Sequence, residues 1–169
     1  FDLIQAFLQV SQALQAVELW VVGPDEEGLL PELQKAACGC NLPIKWLGAT
    51  KTPEHFMAGA DALLLPSYRE GFNTTIIEAA ACGIPAIAYE IEGVKDGLIH
   101  GLTGLFAEVG KPVAFASAMK LLAIDKDLRL RLGHQAREQA VNKFCSERVT
   151  QAWLEFYRSQ LNKQDEAIY

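Results

Sequence analysis

Apolar positions in this chain follow two alternating patterns, helical spacing and short unbroken runs. Leu3, Ala6, Phe7, Val10 and Leu14 recur at helical spacing and predict an amphipathic helix. Short apolar runs of strand length, several of them closed by Gly or Pro, lie between such stretches. Strands are predicted at 18–22, 44–47, 62–65, 85–89 and 105–107. Helices are predicted at 2–15, 25–38, 53–58, 75–82, 94–99, 112–123, 126–141 and 146–161.

The alternation of strands and helices predicts the fold class. It indicates an α/β, Rossmann-like fold, in which a parallel sheet is covered by helices on both faces. Residues 1–161 are expected to form one domain, and 162–169 a polar, frayed C-terminal tail. The last helix carries an apolar stripe that is expected to pack locally for much of its length, with its far end exposed; the stripe consists of Val149, Trp153, Phe156, Tyr157 and Leu161.

Composition narrows the class of partner. A chain of 169 residues, half of them hydrophobic, can bury a sizeable core in one domain. The net charge of −6 argues against a nucleic-acid-binding surface, which is basic, and makes membrane contact through this segment unexpected. Among four cysteines, only Cys38 and Cys40 are close in sequence, and they form a poor zinc pattern. Reduced thiols and a cytoplasmic protein are therefore expected.

The most informative segment runs from Glu70 to Pro85. It reads Glu-Gly-Phe-Asn-Thr-Thr-Ile-Ile-Glu and then Ala-Ala-Ala-Cys-Gly-Ile-Pro, directly after a predicted strand. The order is strand, loop, acid, glycine turn, helix, acid. Such an order brings backbone N–H groups and a carboxylate to the open end of a sheet, where phosphates and hydroxyl-rich ligands are commonly bound.

The spacing within this segment has a chemical interpretation. If the helix begins near Thr74 or Thr75, Glu78 lies one turn in, about 6 Å beyond the first free N–H groups. Those N–H groups can hold a diphosphate, and Glu78 can accept hydrogen bonds from two neighbouring hydroxyls of an attached ribose. Gly71 lets a ligand approach the backbone, and Glu70 can reach what lies beyond the phosphates.

Several of these residues also have a purely structural interpretation. Thr75 and Glu78 match a capping box, in which the acid reaches back to the helix N-terminus. Glu70 alone is typical of a solvated loop. Gly23 ends the first predicted strand and either lines a ligand crevice or forms an ordinary turn. The three histidines lack partners at metal or triad spacing, so no metal site is expected.

Five stretches together resemble one known family. Residues 66–72 and 78–88 carry two acids in an E-x7-E arrangement, and 19–23, 44–48 and 93–106 flank them in matching order. In these stretches the chain resembles the retaining glycosyltransferases of the GT-B fold, called family 4 or group 1. Such enzymes have two Rossmann-like domains, and this chain is similar to the second, the donor-binding domain. The likeness covers nearly the whole chain.

The resemblance implies a role for each candidate residue. Glu70 is the implied catalytic residue, which contacts the donor sugar, and Glu78 binds the ribose. Gly71 and Gly23 line the same site, and the backbone at Ala49 meets the nucleobase. The N–H groups implied to cradle the sugar oxygens and the diphosphate belong to Phe72, Asn73, Thr74 and Thr75. The implied substrate is a nucleotide diphosphate sugar, with a UDP-sugar favoured, and no covalently bound cofactor is expected.

The resemblance also implies a partner domain and a missing strand. The N-terminal domain of such enzymes binds a lipid-linked or saccharide acceptor, as in polysaccharide biosynthesis. In the family, a strand precedes the first helix and brings an Arg and a Lys to the donor phosphates, so this strand is expected upstream of Phe1. The chain alone is therefore expected to bind donor weakly and to transfer nothing. Contact with the inner face of a membrane would come through the missing domain.

Two other functions stay open on the sequence. A nucleotide-sugar epimerase of the same architecture would need additional carboxylates and histidines in the crevice. A non-catalytic Rossmann-like binding module would show no preference for diphosphate nucleotides.

Overall fold

The strands and helices follow the predicted order. A computed structural model describes residues 1–166, and the side chains of residues 1–161. The strands are β1 Leu19–Val22, β2 Ile44–Gly48, β3 Leu63–Leu65, β4 Ala86–Tyr89 and β5 Gly104–Ala107. The helices are α1 Asp2–Ala13, α2 Leu30–Cys38, α3 Pro53–Ala58, α4 Thr74–Ala81, α5 Glu92–Lys95, α6 Pro112–Ile124, α7 Lys126–Phe144 and α8 Ser146–Glu166. The predicted α/β class is confirmed.

All strand pairs are parallel, but they form two sheets instead of the single predicted one. β1 pairs with β2, and β4 lies between β3 and β5. Within the described residues, no hydrogen-bonded ladder joins β1 to β3. Strands form a ladder only when they lie about 4.8 Å apart, and a cavity lined by residues of both strands separates β1 from β3. The apolar runs predict the strands correctly, but they do not indicate that β1 and β3 lie in separate sheets.

The core is built around β4, which is buried along its whole length. Successive side chains of a strand point to opposite faces of the sheet. Ile87 and Tyr89 accordingly pack in one cluster with α1 and α6, and Ala86 and Ala88 pack in another with α4. Full burial of one large apolar side chain stabilises a fold by about 1.5–3 kcal/mol. Burial on both faces of β4 therefore holds the helices in place on either side.

The start of α2 differs from the prediction. The acids at 25–27 predict a helix from residue 25, but α2 begins at Leu30. Gly28 has a φ of 70°, a left-handed conformation that cannot continue a helix. The Asp25 carboxylate instead accepts hydrogen bonds from the N–H groups of Leu29 and Leu30, at 2.9 and 3.1 Å. Asp25 thus organises a turn that precedes the helix.

The bounds of α5 also differ from the predicted helix at 94–99. α5 spans Glu92–Lys95, so it begins and ends earlier. The N–H of Ile99 donates to Oγ1 of Thr103 at 2.8 Å, and Thr103 is buried. Because this hydroxyl takes the N–H that a continuing helix would use, the chain turns away from helical geometry at Ile99.

The apolar stripe on α8 does not pack as predicted. All five of its residues, Val149, Trp153, Phe156, Tyr157 and Leu161, are between 42% and 62% exposed. The rings of Phe156 and Tyr157 lie 5.9 and 5.7 Å from the ring of Trp153, so the aromatic side chains contact one another along the helix. α8 continues to Glu166, into the predicted tail at 162–169, and residues 167–169 lie outside the described residues.

The first residue of α1 is tied to the carboxyl ends of two strands. One carboxylate oxygen of Asp2 accepts hydrogen bonds from the hydroxyl of Tyr68, at 2.5 Å, and from that of Tyr89, at 2.6 Å. Tyr89 ends β4, and Tyr68 lies in the loop after β3. The hydrogen bond from Tyr68, followed by that from Tyr89, lowers the pKa of the Asp2 carboxyl. Burial, followed by the Asp2 hydrogen bond, raises the pKa of Tyr89.

The lowered pKa of Asp2 predicts a pH-dependent contribution to stability. A carboxyl whose pKa falls on folding stabilises the fold above its unfolded pKa of about 3.9, and this contribution disappears as the pH falls through the folded pKa. At pH 7 we expect Asp2→Asn to lower the free energy of unfolding by about 1–2 kcal/mol, because hydrogen bonds to charged acceptors are strong but this site is half-exposed. Denaturant titrations from pH 7 to pH 3 should show the difference from wild type shrinking below about pH 4.

A matched control separates the tyrosine hydrogen bonds from the charge at a helix start. Asp127 also lies in the first turn of a helix, α7, and is exposed. Asp127→Asn should cost only about 0.3–1 kcal/mol. Equal losses for the two variants, with the same pH dependence, would show that the two tyrosines contribute nothing measurable.

Candidate functional site

Asn73 sets the start of α4. It is the N-cap of the helix, and its Oδ1 accepts a hydrogen bond from the N–H of Ile76 at 3.0 Å. The helix therefore begins at Thr74, one of the two starting residues considered from the sequence. The N–H groups of Thr74 and Thr75 have no acceptor within the helix, because the first turn of any α-helix leaves its donors unpaired. They form the positive end of the helix dipole.

This start excludes the capping-box interpretation of Glu78. In a capping box the acid is the third residue of the helix, which here is Ile76. Glu78 lies two residues further on and is exposed to solvent. Residues four apart share a helix face, so Glu78 lies one turn beyond Thr74 on the same side. Its carboxylate is therefore available to a ligand.

A single open cavity brings together candidate residues from distant parts of the sequence. Its volume is about 1150 Å³, and its lining includes Gly23, Thr75 and Glu78. Gly23 follows β1 with a φ of 140°, and its N–H donates to the carbonyl of Gly48 at 2.8 Å. The family resemblance implies that the backbone at Ala49 meets the nucleobase. Ala49 is exposed, and its neighbour Thr50 lines the cavity.

The loop that carries Glu70 is held by a glycine of α5. A Cβ placed on Gly93 would overlap the carbonyl oxygens of Glu70 and Gly71, so only glycine fits here without movement. The N–H of Asn73 donates to the carbonyl of Gly93 at 3.2 Å. Glu70 is half-buried, whereas Gly71 and Phe72 are exposed. Gly93 thus fixes the path of the backbone between Glu70 and Asn73.

One predicted detail changes with this geometry. The N–H of Asn73 is engaged by Gly93, and the Asn73 side chain caps α4, so Asn73 positions the site and its N–H is not free for a ligand. The ring of Phe72 lies 6.0 Å from that of Phe144 on α7. Sequence reasoning missed Gly93 as a positioning residue. The available signal was a glycine in the first turn of a helix, where glycine is otherwise unfavourable.

Metal-ligating side chains are not clustered in the part of the chain that the structure describes. Among residues 1–166, His, Cys, Asp and Glu side chains nowhere form a group of three that could hold a metal ion. All four cysteines, each within the described part of the chain, are free. Burial is the main factor that raises the pKa of the Cys82 thiol.

Within residues 1–166, no helix combines the length and the apolar character needed to cross a membrane.

Comparison with known proteins identifies the family. Residues 1–139 match the family model described as "Glycosyl transferases group 1". The chain is 31% identical over 160 residues to N-acetyl-alpha-D-glucosaminyl L-malate synthase of Bacillus anthracis, covering 92% of this chain and 41% of that protein. It is 28% identical over 165 residues to the capsular polysaccharide biosynthesis glycosyltransferase CapM of Staphylococcus aureus, covering 97% of this chain and 43% of CapM.

A solved structure of similar fold extends the comparison. Anabaena Alr3699/HepE in complex with UDP matches with a TM-score of 0.87 at 24% identity, and the match covers 94% of this chain and 44% of HepE. The same protein in complex with UDP-glucose matches with a TM-score of 0.84. The chain thus spans less than half the length of each of these relatives.

The tight contact at Gly93 predicts a local displacement. We expect Gly93→Ala to lower the free energy of unfolding by about 1–3 kcal/mol, because the new methyl group overlaps two backbone oxygens. The amide chemical shifts of Gly71, Phe72 and Asn73 should change at the same time. Thermal melts and ¹⁵N-correlated NMR spectra measure both effects.

Gly39 provides a matched control for this substitution. A Cβ on Gly39 would make only ordinary contacts, at 3.7 Å or more, and its φ of −59° suits alanine. Gly39→Ala should therefore be neutral or stabilising by a few tenths of a kcal/mol. If Gly93→Ala melts like Gly39→Ala and leaves the loop amides unchanged, Gly93 does not hold the Glu70 loop.

Proposed function

The chain belongs to the group 1 glycosyltransferases, and we propose that it is the half of such an enzyme that binds a nucleotide diphosphate sugar. In this proposal the full enzyme transfers the sugar, with retention of anomeric configuration, to a lipid-linked or saccharide acceptor. The observation that carries the proposal is the shared cavity of Gly23, Thr75 and Glu78 beside the start of α4. The UDP and UDP-glucose complexes of HepE, a protein of similar fold, support the same class of ligand.

The donor's phosphates bind at the start of α4 in this proposal. The N–H groups of Thr74 and Thr75 are unpaired within the helix and carry its positive end. A diphosphate placed there lies one helical turn from the Glu78 carboxylate. That carboxylate accepts hydrogen bonds from the two ribose hydroxyls, and each such bond to a charged acceptor is worth about 1.5–3 kcal/mol.

The remaining candidate residues are proposed to surround the same ligand. The backbone at Gly23 approaches the nucleotide, because a glycine leaves space there. Thr50, which lines the cavity, and its neighbour Ala49 border the base. Glu70 is the proposed catalytic residue and contacts the donor sugar, with the exposed backbone of Gly71 and Phe72 beside it. Gly93 and Asn73 hold this loop in position.

The start of α4 also has a role in the chemical step. When the sugar is transferred, the bond between its anomeric carbon and the diphosphate oxygen breaks, and the electron pair stays on the diphosphate. An acceptor hydroxyl oxygen forms the new bond to the anomeric carbon, and its proton passes to the leaving diphosphate. Donors that already point at this position stabilise the developing charge without reorganisation. Retention of anomeric configuration, the identity of the sugar and the identity of the acceptor are proposed for the whole enzyme and not for the isolated chain.

The second half of the enzyme is proposed to bind the acceptor. Correct positioning of two reactants can supply about 7–11 kcal/mol of a barrier. A chain that holds only the donor lacks this contribution, so we expect the isolated 169 residues to transfer nothing. The relatives are named as synthases and glycosyltransferases, which favours transfer over the epimerase alternative.

Loss of the Glu78 charge should weaken nucleotide binding without unfolding the protein. We expect Glu78→Gln in the full-length protein to weaken UDP binding by about 2–3 kcal/mol, or roughly 30- to 140-fold. The melting point should change little, because Glu78 does not cap the helix. Calorimetric titration and a thermal melt of the same samples test both expectations.

Glu138→Gln is the matched control for Glu78→Gln, because Glu138 is an exposed acid on α7. It should bind UDP as the wild type does. A Glu78→Gln protein with a lower melting point and unchanged UDP affinity would contradict the proposed role.

Uridine nucleotides should bind better than guanine or adenine nucleotides. This expectation rests on the UDP ligands of HepE. Competition among UDP, GDP and ADP for the full-length protein should rank UDP first. Equal affinities of UDP and uridine would instead favour a binding module that does not recognise the diphosphate.

A further inference from the structure

Helix α7 runs antiparallel to α4 and ends beside the Glu70 loop, residues 70–73. A Cβ placed on Gly133 of α7 would overlap the carbonyl oxygen of Gly83, just after α4. Further along α7, a side-chain nitrogen of Arg137 donates to the carbonyl of Ala81. The same interface buries alanines from both helices, which are Ala80, Ala136 and Ala140. Rising positions in α7 therefore meet falling positions in α4, and the small side chains keep the two helices close.

Phe144 continues this face of α7 by one further turn. Residues four apart lie on one side of a helix, so Ala136, Ala140 and Phe144 form one stripe. Phe144 is the last residue of α7, because the backbone of Cys145 is extended, with a φ of −66° and a ψ of 149°. The half-buried ring of Phe144 lies 6.0 Å from the ring of Phe72, and the two planes are inclined by 59°. The stripe of small residues thus ends in one large ring that contacts the loop before α4.

Phe144 supports a part of the Glu70 loop that the other contacts leave open. Gly93 lies against the backbone at the start of the loop and accepts a hydrogen bond from the N–H of Asn73 at its end. Phe72 lies between these two points, and its side chain is 53% exposed. Gly93 has no side chain that could reach the Phe72 ring. The contact with Phe144 therefore adds a restraint in the middle of the loop.

We propose that Phe144 is a positioning residue for donor binding, because its ring fixes Phe72 and thereby the backbone of the Glu70 loop. The inference rests on the proposed function, in which the backbone of Gly71 and Phe72 lies beside the donor sugar. Tilted and edge-to-face aromatic pairs attract each other beyond the area that they bury. Because α7 is packed along the whole of α4, the Phe144 ring is a fixed support for the loop. Phe144 also lies beyond residues 1–139, so the match to the family model assigns it no role.

The two parts of a nucleotide sugar should depend on Phe144 to different extents. The diphosphate and the ribose are proposed to bind at Thr74, Thr75 and Glu78, which belong to α4 and follow the Asn73 cap. The sugar is proposed to bind at the loop that Phe144 supports. Loss of the Phe144 ring should therefore weaken the sugar's contribution to affinity and leave that of the nucleotide unchanged.

Phe144→Ala in the full-length protein tests this inference with UDP and UDP-glucose as probes. Calorimetric titration should give wild-type affinity for UDP and about 3- to 10-fold weaker affinity for UDP-glucose, the range that one aromatic pair corresponds to. The ¹⁵N order parameters of the Gly71 and Phe72 amides should fall from the rigid-backbone value of about 0.85 to below about 0.6. Phe144→Tyr, which keeps the ring, should restore both measurements.

Leu130→Ala is the matched control, because Leu130 is an exposed apolar residue of the same helix. It lies about 21 Å from Phe144 along α7, at 1.5 Å per residue. Leu130→Ala should leave both affinities and both order parameters at their wild-type values.

The inference is overturned if Phe144→Ala leaves the two loop amides rigid, or if they are already flexible in the wild type. It is also overturned if UDP and UDP-glucose lose affinity equally, or if Phe144→Tyr fails to restore the wild-type values. If the wild type binds neither probe, the proposed function fails, whereas the order parameters still decide whether Phe144 positions the loop. They decide alone as well if the wild type binds both probes equally. If Phe144→Ala does not fold, Phe144→Leu, which removes the ring but keeps apolar volume, takes its place with the same expectations.

Discussion

The hydrogen bonds of Asn73 are the constraint on which the candidate site depends. Its side chain caps α4 through the N–H of Ile76, and its own N–H donates to Gly93. These two bonds join the junction between the loop after β3 and α4 to the first turn of α5, which lies much further along the chain. Because buried polar groups cost free energy when unpaired, the buried Asn73 side chain allows only a narrow range of arrangements. The unpaired N–H groups of Thr74 and Thr75 and the carboxylate of Glu78 therefore keep a fixed relation to the Glu70 loop.

The buried core of the domain holds this arrangement in place. β4 is buried on both faces, and the helices packed on it include α4, whose first turn forms the site. The site itself lies beyond the carboxyl ends of the strands, at the edge where α1 also begins. Ligands of open α/β sheets bind in such a position, where adjacent strands connect to helices on opposite faces. The stability of the core and the exposure of the site are thus properties of the same sheet.

The sequence predicts those features that depend on local patterns. The helix α4 is predicted to within one residue of its start, and β4 follows from a short apolar run after Pro85, whereas the role of Asn73 as the N-cap of α4 was not predicted. Local signals were misleading where a distant contact or a single dihedral angle decided the outcome. The acids at 25–27 indicate a helix start, but the left-handed conformation of Gly28 delays it. The apolar spacing of α8 indicates a buried face, yet its aromatic side chains contact one another in solvent. The close approach of Gly93 to the backbone of Glu70 and Gly71 involves residues more than twenty positions apart, so no pattern within one helix or strand indicates it.

The proposed division of labour follows from the strengths of the interactions in this half. Helix-end attraction for an exposed anion is worth about 0.3–1 kcal/mol, so the start of α4 by itself holds a diphosphate only weakly. The same donors gain strength when water is excluded, because the effective dielectric constant falls. Closure of an acceptor-binding half over this cavity would supply that exclusion at the moment when charge develops on the leaving diphosphate. In such an enzyme the donor half gains its full effect on the leaving group only when the acceptor half is in place. On this proposal, weak binding by the isolated half and transfer by the whole enzyme are both expected from the same exposed helix start.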